Sequence, residues 1–234
     1  MNRYAVISDI HGNILALQAV LRDIERRGIV NIINLGDSVH GPLEPEATAL
    51  LLMDLHAINI RGNQDRDIPE GTAKALSRQS IEWLESLPAT GSVGEDIFLC
   101  HGTPRADDEY LLEKIDNGKG VLKDEADIMP LLAGIEQKVI LCGHSHTPRV
   151  IRLREGRLVV NPGSVGLPAY QDETPVPHMM ETGSPHARYA ILEKDGTEWK
   201  AELIAVPYDF ETAARKARAN GREDWERWLM EGRG

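Results

Sequence analysis

The sequence predicts an α/β fold whose functional groups gather at one edge of a parallel sheet, and two observations carry that expectation. From Ala5 to Leu87, apolar runs of strand length alternate with helical stripes, the pattern of a layered α/β architecture. Five apolar runs also end in potential ligands: AVISDIH at Asp9 and His11, INLGD at Asp37, INIRGN at Asn63, IFLCH at His101, and VILCGHSH at His144 and His146. In open α/β sheets ligands bind beyond the carboxyl ends of the strands, so such an arrangement is unlike a plain core.

Taken in order, Ala5, Val6 and Ile7 read as a buried strand opening into a glycine-softened turn. Leu17, Val20, Leu21 and Ile24 then form a helical stripe that stops at Arg26, Arg27 and Gly28, residues suited to a helix C-terminus. A second strand covers Val30 to Leu35. Pro45 opens a second helix with Ala47, Leu50, Leu51 and Leu55 on one side. Ala57 to Ile60 is a third strand, Ser77 to Leu87 a third helix closed by Pro88, and Ile97 to Cys100 another strand. The acidic segment from Arg105 to Asp127, with Gly118 and Gly120, reads as a loop with short helical pieces. Ile128 to Ile135 is expected to be helical and Val139 to Cys142 to be the strand that delivers GHSH. Val150 to Leu153 and Leu158 to Val160 flank a hairpin turn, and NPGSVG is a tight polar turn. Leu167 to Pro185, rich in proline, is expected to be a long loop. Asp195 and Gly196 mark a hairpin between Tyr189 to Leu192 and Trp199 to Val206. These later strands are expected to form a second sheet packed on the first. A helix from about Glu211 to Met230, broken near Asn220 and Gly221, offers Trp225, Trp228 and Leu229 for docking.

At 234 residues the chain supports one substantial core, so a single domain over 1–234 is the expectation. No apolar run approaches the roughly 18 residues of a spanning helix, and Met1 leads directly into a strand, which favours a cytoplasmic protein without membrane partners. A formal net charge of −11 argues against broad nucleic-acid binding, which depends on clustered Lys and Arg. Cys100 and Cys142 form no CxxC pair. Side-chain alternation turns each away from its ligand-bearing neighbour, so both are expected to be buried small hydrophobes.

The ordered blocks DIHG, GD, GNQD, HG and GHSH resemble the calcineurin-like metallophosphoesterase superfamily, and the GP after GD and the NPGSVG after GHSH resemble its compact bacterial and archaeal phosphodiesterase branch. The resemblance implies two packed mixed β-sheets flanked by helices in a four-layer sandwich. It also implies two divalent metals, with Asp9, His11 and His146 holding the first, Asn63, His101 and His144 the second, and Asp37 bridging them. Imidazole nitrogens with carboxylate or amide oxygens and no thiolate suit Mn²⁺, placed first, or Fe, Zn²⁺, Ni²⁺ or Co²⁺. Such cations leave about one net positive charge after the Asp carboxylates and a bridging hydroxide are counted, enough to attract phosphate inside an acidic protein. The implied activity is hydrolysis of phosphodiester or nucleotide-type bonds in a small phosphorylated substrate by that hydroxide. The alternatives are a phosphomonoesterase of the same fold and a non-catalytic metal-binding scaffold like the retromer subunit of the superfamily.

Many phosphatases of the superfamily have GNH where this chain has Gln64, and glutamine cannot protonate a leaving group. The compact branch often lacks that histidine too, which favours diesters or anhydrides. His40, in SVHGP, is the candidate substitute acid. Arg61, Arg66, Arg105 and Arg149 are candidate phosphate clamps, Asn161 a candidate orienting residue, and His56, His178 and His186 lie outside the pattern. No GxxxxGK[ST] loop, HExxH helix or GxSxG elbow is present.

Overall fold

The computed structural model describes residues 3–234. Met1 and Asn2, where the expectation of no apolar leader begins, lie outside the described residues. Its strands are β1 (Arg3–Ile7), β2 (Asn31–Asn34), β3 (Ala57–Asn59), β4 (Thr90–Val93), β5 (Ile97–Cys100), β6 (Glu113–Asp116), β7 (Lys119–Leu122), β8 (Val139–Leu141), β9 (Arg149–Arg152), β10 (Leu158–Asn161), β11 (Ala169–Asp172), β12 (His178–Glu181), β13 (Ala187–Asp195) and β14 (Glu198–Val206). Its helices are α1 (Ile14–Arg26), α2 (Pro45–Asp54), α3 (Asn63–Arg66), α4 (Glu70–Ala73), α5 (Arg78–Ser86), α6 (Glu125–Ile128), α7 (Phe210–Ala219) and α8 (Glu223–Glu231), with a 3₁₀ turn at Met129–Leu132.

Three mixed sheets result, in the orders β14-β13-β1-β2-β3, β4-β5-β8-β10-β9 and β11-β12-β7-β6. In the first, β1, β2 and β3 run parallel; in the second, β5, β8 and β10 do. Strand alternation decides which neighbour each side chain meets. Ala5 and Ile7 pack with Leu17, Val20 and Ile24 of α1. Val6, between them, faces Leu99, Leu141 and Val160 of the second sheet. The opposite face of that second sheet carries Cys100, Ile140, Cys142 and Val159 onto Ile128 and Leu132. Helix, sheet, sheet and outer helical layer thus follow one another, as the resemblance implies. Among the described residues no helix is long and apolar enough to cross a membrane.

Four expectations are corrected. The stretch from Arg105 to Asp127 is not a loop with helical pieces, because β6 and β7 form a hairpin within it. Asn117 (φ 49°) and Gly118 (φ 73°) make its turn, a two-residue pair in the left-handed conformation that twisted hairpins favour. Leu167 to Pro185 is not one long loop either, since β11 pairs antiparallel with β12. The inward face of α2 is Thr48, Ala49 and Leu52, while Ala47 and Leu50 are exposed. Its Leu50-Leu51-Leu52 run is apolar nearly all round and leaves the stripe undefined by sequence. Finally, the hairpin of β13 and β14 joins the first sheet beside β1 instead of contributing to a second one. The interrupted C-terminal helix is observed as expected, with Trp225, Trp228 and Leu229 buried.

Candidate metal centre

Every candidate ligand follows the carboxyl end of a parallel strand: Asp9 and His11 after β1, Asp37 after β2, Asn63 after β3, His101 after β5, and His144 and His146 after β8. To bring consecutive side chains to one point, the backbone turns left-handed. Asp9, His11, Asp37, His144 and His146 all have φ between 53° and 66°, and Asn117 is the only other non-glycine with positive φ among the described residues. Each such residue costs about 1–2 kcal/mol, and clustering of that strain marks a functional site. Backbone bonds hold the turns together: Asp9 N–H donates to Gly36 O (2.9 Å), His11 N–H to Asp37 O (3.0 Å) and Gly143 N–H to His101 O (2.7 Å). Gly62 and Gly143 are required where they stand, because a Cβ at the first would overlap Asp37 Oδ1 and at the second Ser8 Oγ.

Two buried triads converge, Asp9–His11–His146 and Asp37–His101–His144, and within each the potential ligand atoms lie within 4.8 Å of one another. His146 Nε2 is 3.3 Å from Asp9 Oδ1, His101 Nε2 is 3.4 Å from Asp37 Oδ2 and 3.8 Å from Asp9 Oδ1, and His11 Nε2 is 3.9 Å from Asp37 Oδ2. Three rings are anchored from behind. Nδ1 of His11 donates to His40 O (3.0 Å), of His101 to Leu35 O (2.8 Å) and of His146 to Leu167 O (2.6 Å). A proton fixed on Nδ1 leaves a lone pair on Nε2.

The consequence is an electron-rich hole. The Nε2 atoms of His11 and His146 face each other at 3.0 Å with no proton between them once both protons sit on Nδ1. Two nitrogens bound to one transition-metal ion stand about 3 Å apart, so a cation resolves that repulsion. Both oxygens of Asp9, Oδ1 of Asn63 and Nε2 of His101 are buried without a hydrogen-bond partner among the described residues, whereas buried polar atoms are normally satisfied. The donor set therefore fits a pair of divalent ions.

Electrostatics agree. Burial pushes the His11 imidazole down to about 3 and that of His144 to about 4, so both rings are neutral donors at physiological pH. Burial acts in the same direction on His101, but the Asp37 and Asp9 carboxylates override it and lift the ring to about 10 in the metal-free chain. Burial opposes the charges of Asp9 and Asp37 as well, yet the surrounding histidines hold both carboxyls below the ordinary range. Asp65 behaves differently: burial and the Asp37 charge raise it to about 7, while its oxygens accept from the N–H groups of Ser38 (2.9 Å) and Gly62 (3.0 Å) and tie the Asp37 and Asn63 turns together.

The triads open into a cavity of about 260 Å³ lined also by His40, Asn63, Gln64, Tyr170, Gln171, Asp172, Arg222 and Trp225. His40 is therefore at the site, its Nδ1 3.3 Å from Thr72 Oγ1 and its pKa lowered by burial. None of the four singled-out arginines lines the cavity. Arg66 pairs with Asp107, Arg105 bonds Ala133 O and Arg149 pairs with Glu113. Arg222, which no local pattern marked, lines it instead. Asn161 Nδ2 donates to Gly143 O (2.7 Å) and Ser145 Oγ (3.1 Å), bracing the GHSH turn. His178 reaches the centre indirectly: its Nε2 lies 2.9 Å from Tyr110 Oη, and the Tyr110 ring packs 4.8 Å from that of His144. Cys100 and Cys142 are buried, as expected, and burial raises both thiols.

A family model for the calcineurin-like phosphoesterase superfamily domain matches residues 3–183. An uncharacterized protein of Methanocaldococcus jannaschii is 30% identical over 257 aligned residues, covering 94% of each chain. A solved metallophosphoesterase from Sphaerobacter thermophilus is 26% identical, covers 98% of each chain and superposes with a TM-score of 0.77. A solved archaeal phosphodiesterase, 15% identical over 86% of this chain and 99% of its own, shares the fold with a TM-score of 0.50.

Proposed function

Because this chain belongs to the calcineurin-like phosphoesterase superfamily, we propose that it is a dinuclear phosphoesterase hydrolysing phosphodiester or nucleotide-type bonds in a small substrate. The observation that carries this reading is the convergence of two buried triads around polar atoms that have no hydrogen-bond partner among the described residues. Asp9, His11 and His146 would hold one ion, and Asn63, His101 and His144 the other. Asp37 would serve both: its Oδ2 lies 3.9 Å from His11 Nε2 and 3.4 Å from His101 Nε2. When bound, the ions supply Lewis acidity toward the attacking water and the phosphoryl oxygens. Manganese is our first choice, the nitrogen and oxygen donors being shared by several first-row metals. We also read residues 1–234 as one domain, since α8 shares a cavity with the strand-end ligands.

The remaining chemistry belongs to side chains. Backbone carbonyls behind His11, His101 and His146 engage Nδ1 and aim Nε2 inward, where a bound ion would take the place of the extra proton that His101 carries in the metal-free fold. Gln64 N–H donates to Asp37 Oδ1 at 2.9 Å, orienting that carboxylate. Gln64 itself carries no transferable proton, which favours diesters over monoesters with poor leaving groups. His40 is the acid we assign to the departing oxygen. Its protonated form grows as pH falls, so turnover of esters with poor leaving groups should decline as pH rises through its pKa.

The test begins with chelation, followed by reloading with Mn²⁺, Ni²⁺ or Zn²⁺ singly and assay of a diester, a monoester and a nucleotide anhydride. Restored turnover with the diester in front is expected, as is reduction of Asp37→Ala to the rate of the stripped protein. An Asp37→Ala protein with normal turnover would remove Asp37 from the site. For His40→Gln, alkyl diester hydrolysis should fall by about 10²-fold or more and lose its pH dependence. Retention of both rate and pH profile would remove His40 as the acid.

A further inference from the structure

The cavity has one permanently cationic side chain among its lining residues, Arg222, and it lies beyond residues 3–183, the part that matches the family model. Its guanidinium is built into place. Nε donates to Asp224 Oδ1 (2.9 Å) and Nη2 to Asp224 Oδ2 (2.7 Å), and the guanidinium carbon sits 5.4 Å from the centre of the Trp225 ring. Trp225 in turn is packed against two segments that each carry a site histidine, the β1–α1 turn with His11 and the β2–α2 loop with His40. Its ring is 6.0 Å from that of His11 and 6.5 Å from that of His40, and a Cβ on Gly41 would run into it. Indole and carboxylate thus hold the guanidinium one ring away from a candidate metal ligand. The bonds to Asp224 leave Nη1 without a partner among the described residues, and the Arg222 side chain is 40% exposed.

A fixed, forked cation at that place has no function in holding the metals, which need anionic or neutral donors. With one side of its fork engaged by Asp224, it still offers Nη1 as a charge-assisted donor to an oxyanion. We propose that Arg222 is a specificity-determining residue that binds a second anionic group of the substrate while the scissile phosphate occupies the metal centre. The substrate class is then a phosphate compound carrying a further phosphoryl or carboxylate group close to the bond that is cut. This rests on the phosphoesterase reading for the position of the scissile phosphate. It also explains why an acidic cavity that includes Asp172 should keep a cation at its rim.

Three non-hydrolysable probes separate the possibilities on metal-loaded full-length protein by calorimetry, with metal content measured after each titration: methylphosphonate, phosphonoacetate and methylenediphosphonate. The second anion should tighten binding about 10- to 100-fold over methylphosphonate, the range of a charge-assisted pair. A larger gain for phosphonoacetate identifies a carboxylate, and a larger gain for methylenediphosphonate a phosphoryl group. Arg222→Ala should abolish the gain, and Arg222→Lys, which keeps the charge and loses the fork, should recover part of it. Asp224→Asn, which loosens the clamp without removing the cation, should reduce it less than Arg222→Ala does. Equal binding of all three probes by the wild type, or an undiminished gain in Arg222→Ala, overturns the inference. Turnover with no second-anion gain sinks this inference and spares the phosphoesterase reading; a gain without turnover on any ester does the reverse.

Discussion

At single positions the site is defined by backbone as much as by side chain. Asp9, His11, Asp37, His144 and His146 all sit in the left-handed region, where an ordinary residue is disfavoured, and nearby glycines leave the space their side chains need. Gly62 has an unstrained φ, so alanine there meets no backbone penalty, and its added methyl would strike Asp37 Oδ1. Gly62→Ala should cost about 1–3 kcal/mol of stability as an overpacking substitution and weaken metal binding about tenfold or more. Thermal unfolding and metal titration read the two effects, and wild-type metal affinity would show that Asp37 is not confined there. The candidate ligands were legible because each follows an apolar strand in a short block. Asp65 and Arg222 were not, because tertiary packing brings Ser38 to Asp65 and brings the start of α8, with Arg222 and Trp225, to the His11 and His40 segments. The arginines flanking the motifs misled for the same reason: acidic neighbours such as Asp107 and Glu113 become visible only in space.

Among the elements, the buried parallel strands were readable with near-correct bounds, since apolar runs buried on both faces depend little on context. The failures lie where polar strands look like loops. In β6 (EKID) and β7 (KGVL) every residue but Glu113 is partly or fully exposed, so no apolar alternation announces them. Their clearest signal was the Asn117-Gly118 pair, which serves as a left-handed turn. Asn117→Ala should therefore destabilise by about 1 kcal/mol, lowering Tm by about 2–4 °C, while Asn117→Gly should be close to neutral. Equal Tm values for wild type and alanine variant would contradict the turn assignment. β11 and β12 were hidden similarly by the prolines of the segment joining them.

For the molecule as a whole, the candidate centre lies across a seam. Asp9, His11, Asp37 and Asn63 follow strands of one sheet, and His101, His144 and His146 follow strands of the other. Ions held there would link the sheets and stabilise the folded state by mass action. Charge sets the pH dependence. His101 is raised to about 10 in the metal-free fold, above the ordinary imidazole value of about 6.5. The folded chain then binds the extra proton between those values, so its contribution is full below about pH 6.5 and lost as pH rises toward 10. Stripped protein should melt at lower temperature at pH 9 than at pH 7. Metal-loaded protein, whose His101 lone pair would be engaged, should show a smaller drop, and equal drops would place His101 outside the centre. The ions themselves can be located by anomalous scattering at the manganese edge from crystals of manganese-loaded protein. Two peaks are expected, one about 2.1 Å from ligand atoms of Asp9, His11 and His146, the other equally close to those of Asn63, His101 and His144, with Asp37 touching both. A single peak, or peaks away from these seven side chains, would contradict a dinuclear centre.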